Sequence, residues 1–77
     1  MSIESRLLRV VREQVSPTIP ESLIVPTSRL SYDLGLDSFN VIELVMAIEE
    51  EFDLEVDDDH ADKFYTVGDI LSYLTAT

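Results

Sequence analysis

The sequence predicts an all-α fold: a small three-to-four-helix bundle with a long first loop. Three observations carry this expectation. Apolar residues recur at helical spacing in three separate segments, and all three prolines fall between the first two of them. No stretch alternates apolar and polar residues as a half-buried strand does. The chain has 77 residues, enough for a single domain over residues 1–77. It is too short to enclose a cleft that holds several catalytic groups and a substrate.

The first helix is expected from Ile3 to Val15. Ile3, Leu7, Val10, Val11 and Gln14 share one side, while Arg6, Arg9, Arg12 and Glu13 fall largely elsewhere. Ser16-Pro17 ends it, because proline disfavours the helical conformation in the residue before it. Ser16 to Asp37 holds Pro17, Pro20 and Pro26 and no sustained period, so it reads as a long connection with a short helical turn near Thr27 to Leu30. A loop this long is unusual inside a compact domain, but its scattered Leu23, Ile24, Val25, Leu30, Leu34 and Leu36 point to a segment that lies over the core and packs there. The second helix is expected from Ser38 to Phe52. Asp53 to Asp59 is an acidic connection offering Leu54 and Val56 to the core, and Asp59 to Phe64 forms one or two helical turns. Thr66 caps a last helix, Val67 to about Leu74, with Val67, Ile70, Leu71 and Leu74 on its inner face. Gly68 near its start lowers helix propensity.

Charge narrows the function. Sixteen Asp and Glu stand against five Lys and Arg, a net charge of −11. From Tyr32 onward Lys63 is the only cation. Such a field repels nucleic acid, which needs clustered Lys and Arg, and attracts basic protein surfaces. With no cysteine there is no disulfide, thiol chemistry or cysteine metal site. A charged-then-apolar leader and a membrane-length apolar run are both missing, so the expectation is a monomer working in the cytoplasm, away from membranes.

The acidic run Asp57-Asp58-Asp59-His60-Ala61-Asp62 fails as a calcium loop. Asp62 and Gly68 stand where an EF-hand needs Gly and Glu. His60 reads as a solvated helix residue, since no second His or Cys accompanies it as a ligand. A Ser38–His60–Asp triad lacks the shaped pocket and oxyanion donors that hydrolysis needs. No metal site and no catalytic residue are expected.

The second helix has two apolar faces. At about 100° per residue, Val41, Leu44, Val45, Ile48 and Phe52 form a core stripe within a third of the circumference. Phe39, Ile42 and Met46 fall on nearly the opposite side, among Glu43, Glu49 and Glu50. Apolar anchors inside an acidic rim make a docking face for basic partners. Ser38, at the start of this helix, belongs to a residue type favoured as N-cap. Asp37 beside it can do the capping instead. That leaves the serine hydroxyl free near the positive end of the helix dipole, where an attached phosphate is favoured.

In its Leu34-Gly35-Leu36-Asp37-Ser38-Phe39 block, and in the continuation to Phe52 that includes Val-Met-Ala-Ile-Glu-Glu-Glu-Phe, the chain resembles the acyl carrier proteins of type II fatty-acid and polyketide synthesis. The Thr66-Val67 opening of the last helix adds to the match. The resemblance implies a non-catalytic protein with covalent 4′-phosphopantetheine on Ser38, placed there by a phosphopantetheinyl transferase. Acyl cargo would ride on the arm's thiol as a thioester. It also implies that Asp37, Phe39, Ile42, Glu43, Met46, Glu49 and Glu50 form the recognition helix for acyl ligase, synthase or acyltransferase partners with basic docking patches. Phe39 stands where the family most often has Leu, and Asn40 where many fatty-acid members have Asp. Both departures suit a dedicated pathway with its own ligase or synthase. Two other readings remain: an aminoacyl or peptidyl carrier on the same fold, and an acidic interaction module without an arm. Gly35-Leu36-Asp37, in place of the Gly-Gly more frequent in peptidyl carriers, leans toward acyl cargo.

Overall fold

The computed structural model describes residues 2–76, whose regular elements are helices: α1 (Ile3–Gln14), α2 (Ser38–Phe52), α3 (Asp58–Ala61) and α4 (Val67–Ala76), with a 3₁₀ turn at Glu21–Leu23. α1 packs against both α2 and α4. Their apolar stripes, with the inward residues of the long loop, form one buried cluster. Leu7, Val11, Leu44, Ile48 and Ile70 at its centre are wholly inaccessible to solvent.

α1 begins on Ser2, whose hydroxyl accepts from the Ser5 amide at 3.0 Å. It ends at Gln14, one residue earlier than expected, because Val15 is already extended (φ −95°, ψ 147°) ahead of the Ser16-Pro17 pair. Leu7, Val10 and Val11 are buried as the periodicity requires, but Ile3 is exposed.

The cations opposite that stripe fasten α1 to the end of α2. Arg6 Nε and Arg9 Nη2 donate to the two carboxylate oxygens of Glu51 at 2.9 and 3.0 Å. Arg6 Nη2 also donates to the Glu51 carbonyl at 2.6 Å, and its guanidinium lies 4.5 Å from the Phe52 ring centroid. Positive charge at this end of α2 complements the helix dipole. The Arg6 side chain, ahead of the Arg9 charge, holds the Glu51 carboxyl below its usual range. A lowered folded-state value gives stability that is present above the unfolded value and is lost as pH falls through the folded one. Relief of self-repulsion in a chain of charge −11 acts in the opposite direction over the same acidification. Melting curves of wild type and Glu51→Gln should therefore differ by a constant amount from neutral pH down to about 5 and draw together as the pH falls below the usual glutamate range of about 4. A gap that widened in acid would contradict this.

The loop between α1 and α2 departs most from expectation. Thr27 to Leu30 is not helical; the short helical turn lies earlier, at Glu21–Leu23. Leu23 and Val25 are exposed, while Ile24, Leu30, Leu34 and Leu36 are buried. Buried Ser28 accounts for the geometry, since its hydroxyl accepts from the Val25 amide and donates to the Leu23 carbonyl, which turns the chain without a helix. The segment is then stitched to the start of α4: Leu30 N to Tyr65 O, Val67 N to Ser28 O and Gly68 N to Pro26 O, at 2.8, 3.0 and 2.7 Å. A Cβ on Gly68 would sit 2.9 Å from that Pro26 carbonyl. Close approach of the two backbones explains a glycine in a helical first turn.

Asp57 caps α3, which starts at Asp58 rather than Asp59 and stops at Ala61. Thr66 caps α4 as expected: Thr66 Oγ1 accepts from the Asp69 amide at 3.1 Å, and Asp69 Oδ2 accepts from the Thr66 and Tyr65 amides at 2.9 Å. α4 runs two residues past the expected end, with Leu71 only half-buried.

Candidate functional site

The site is built by the turn that delivers α2. Residues 29–36 close on themselves through Asp33 N and Leu34 N to Arg29 O, Gly35 N to Ser31 O and Leu36 N to Leu30 O, all within 3.0–3.2 Å. Gly35 takes a positive φ of 71°, which only glycine adopts freely. The reversal buries Leu34 and Leu36 on either side of it. Two apolar anchors therefore fix where the next two residues, Asp37 and Ser38, emerge.

Asp37 takes the capping role. Its Oδ1 accepts from the Asn40 amide at 2.8 Å, and Asn40 Oδ1 accepts in return from the Asp37 amide at 3.3 Å, a reciprocal capping box. Asn40 thus contributes as a neutral acceptor beside the Asp37 carboxylate, a role its sequence position alone did not reveal. Ser38 is the first residue of α2 and is exposed. Among the described residues nothing hydrogen-bonds its hydroxyl. The hydroxyl stands free at the end of a 15-residue helix where partial positive charge gathers.

Beyond Ser38 the outer face of α2 is apolar. Phe39, Ile42 and Met46 are 66%, 59% and 59% exposed, and Glu43 and Glu50 beside them are exposed too. Glu49 differs from the other two acids. It is half-buried, and its Oε2 accepts from the Val56 amide at 2.8 Å, tying the α2–α3 connection to α2. One of its oxygens is committed inside the fold.

Between α2, the 29–36 turn and α3 lies an open groove of about 700 Å³. Ser38, Ile42 and Met46 line one side, and Leu36, Val45 and Phe64 contribute apolar surface. The groove was not legible beforehand, because its walls come from three separated segments. Carboxylates line it as well, and the 29–36 turn adds Arg29, whose guanidinium lies 4.2 Å from the Tyr32 ring centroid, and Tyr32 itself. A lone arginine in an otherwise acidic stretch was the available signal for them.

His60 is exposed but engaged. Its Nδ1 lies 2.7 Å from Asp57 Oδ1, and its ring centroid is 4.8 Å from that of Tyr73, so it braces α3 against α4. The backbone amide of His60, ahead of its ring, holds the Asp57 carboxyl below its usual range. His60 is thus paired with Asp57, and Ser38 is not its partner. Among the described residues no three His, Asp or Glu side chains converge as a metal ion would need, and no helix is long and apolar enough to cross a membrane.

The family described as "Phosphopantetheine attachment site" matches residues 5–74. A mitochondrial protein of Schizosaccharomyces pombe named as an acyl carrier protein is 46% identical over 94% of this chain, which spans 63% of that protein's length. The acyl carrier protein of Desulforapulum autotrophicum is 38% identical over 96% of this chain and 95% of its own. A solved Mycobacterium tuberculosis structure, also described as an acyl carrier protein, superposes with a TM-score of 0.82 over 97% of both chains; at 23% identity it speaks for the fold alone. The chain belongs to the phosphopantetheine-attachment family, among the acyl carrier proteins, which are carriers with a covalent 4′-phosphopantetheine rather than catalysts.

Proposed function

We propose that residues 1–77 act as one discrete carrier domain with 4′-phosphopantetheine joined to Ser38 through a phosphodiester. The observation that carries this reading is the free Ser38 hydroxyl beside a cap already made by Asp37 and Asn40. The surroundings fit the group: an exposed hydroxyl, the positive end of a long helix, and a groove opening at the same place. When attached, the arm supplies the thiol on which acyl cargo is held as a thioester.

The chain's own residues do the rest. Asp37 and Asn40 fix the first turn of α2, so the hydroxyl is presented in one place. Leu36, Val45 and Phe64 shield apolar cargo from water, at about 0.8 kcal/mol for each methylene they cover. Phe39, Ile42 and Met46, rimmed by Glu43 and Glu50, dock the phosphopantetheinyl transferase and then acyl ligase, synthase or acyltransferase partners through their basic patches. Glu49 contributes charge through the oxygen not held by Val56. The bulky Phe39 and neutral Asn40 favour a dedicated acyl pathway in the cytoplasm over service to the general fatty-acid enzymes. Elongation at full rate by general fatty-acid synthase enzymes would count against that assignment.

Intact mass before and after treatment with a broad-specificity phosphopantetheinyl transferase and coenzyme A tests the attachment. Wild type is expected to gain one phosphopantetheine, and Ser38→Ala none. Because Asp37 caps α2, the variant should keep its stability to within about 0.5 kcal/mol. A gain by folded Ser38→Ala would sink the reading.

A further inference from the structure

A phosphodiester on Ser38 would put a second negative charge beside the Asp37 carboxylate. Four carboxylates line the groove there, those of Asp37, Glu49, Asp58 and Asp62, in a chain that already carries −11. Like charges in such proximity repel. Among the groove's lining residues one cation stands against them, Arg29.

Arg29 is exposed but held at several points. Its backbone amide and its Nε both donate to Asp33 Oδ2, at 2.7 and 3.3 Å. The guanidinium lies over the Tyr32 ring, 4.2 Å from its centroid. Its backbone is anchored too, by the bridge to Thr66 and by the neighbouring Leu30 amide bonded to Tyr65 O. Asp33 is held below its usual carboxylate range by the Arg29 amide first and the Arg29 side chain second. The terminal nitrogens Nη1 and Nη2 keep no partner among the described residues. A guanidinium ordered through Nε and its π face, with its outer donors free, suits a two-oxygen acid such as phosphate.

We propose that Arg29, braced by Tyr32 and Asp33, is a positioning residue for the phosphodiester of the attached arm, offsetting the negative charge that loading brings to the groove. The proposal rests on the Ser38 reading. No covalent step is added: the guanidinium pairs with the phosphate and stays protonated.

The test uses the full chain, apo and loaded, as wild type and Arg29→Gln. Substitution disturbs the apo form as well, through Asp33 and Tyr32, so the quantity read is the loaded-minus-apo melting difference. At about 20 mM salt that difference should be less favourable in Arg29→Gln than in wild type by about 1–5 °C, shrinking to less than half at about 500 mM. A second readout needs no variant: the Arg29 guanidinium ¹⁵N–¹H resonances should move when the wild-type protein is loaded. Equal melting differences overturn the proposal, as do unmoved guanidinium resonances, and the resonances alone decide if Arg29→Gln does not fold. Intact mass accompanies each sample. A chain that gains no phosphopantetheine refutes the attachment reading together with this one, whereas a loaded chain with unmoved resonances refutes this one alone.

Discussion

Leu44→Ala is expected to remove a large share of the stability of this protein. Leu44 is wholly buried at the centre of α2, with α1 packed against its helix. Truncating such a leucine costs about 2–5 kcal/mol, the lost transfer energy plus the cavity left behind. A 77-residue chain has only about 4–12 kcal/mol in total. At about 4–8 °C per kcal/mol for a domain of this size, the melting midpoint should fall by at least about 8 °C. Leu44 does not line the groove, so the fraction still folded should be loaded at the wild-type rate. A drop of less than about 3 °C would mean the core is not organised around this helix.

Ile42→Gln should show the converse. Ile42 stands two residues before Leu44 on the same helix and is 59% exposed. Removing an apolar anchor from the centre of a docking face weakens association by about 1–2 kcal/mol, a factor of roughly five to thirty. The catalytic efficiency of phosphopantetheinyl transfer should fall by that factor while the melting midpoint stays within about 2 °C. Unchanged loading would show that this face does not meet the transferase. A large loss of stability would show instead that Ile42 is packed inside the fold. The two variants together separate the buried side of α2 from its outward side, which its periodicity set apart.

That periodicity explains why α2 was the most legible element. Its limits, Ser38 and Phe52, coincide with those expected, because core stripe, cap and acidic end all point the same way. The long loop was legible only in outline. A helical turn at Thr27 to Leu30 looks plausible from local pattern, but a buried serine and a backbone seam to α4 decide the conformation there, and neither leaves a periodic trace. Leu23 and Val25 went astray for the same reason: in a non-helical loop, apolar character does not say which way a side chain points. Gly68 carried a trace that local propensity misreads. It looks like a weakness in α4 and is a point of close approach to Pro26.

The same division runs through the site. Asp37 as cap and Ser38 as free hydroxyl follow from adjacent residues, so sequence sufficed to raise them. The three exposed apolar residues follow from helical angle. Glu49 does not, since its partner is a backbone amide seven residues on, brought there by the α2–α3 connection. Arg29 and Tyr32 reach the groove only once the 29–36 turn is closed and bridged to Thr66.

The central claim is that Asp37 caps α2 so that Ser38, and no other serine, carries the arm. Serines also occur at positions 28 and 31 in the preceding loop. Proteolysis and fragmentation of the loaded wild-type protein would locate the added group directly. The whole phosphopantetheine mass is expected on the fragment that contains Ser38 and on Ser38 within it. The group on Ser31, on Ser28 or spread over several serines would contradict it.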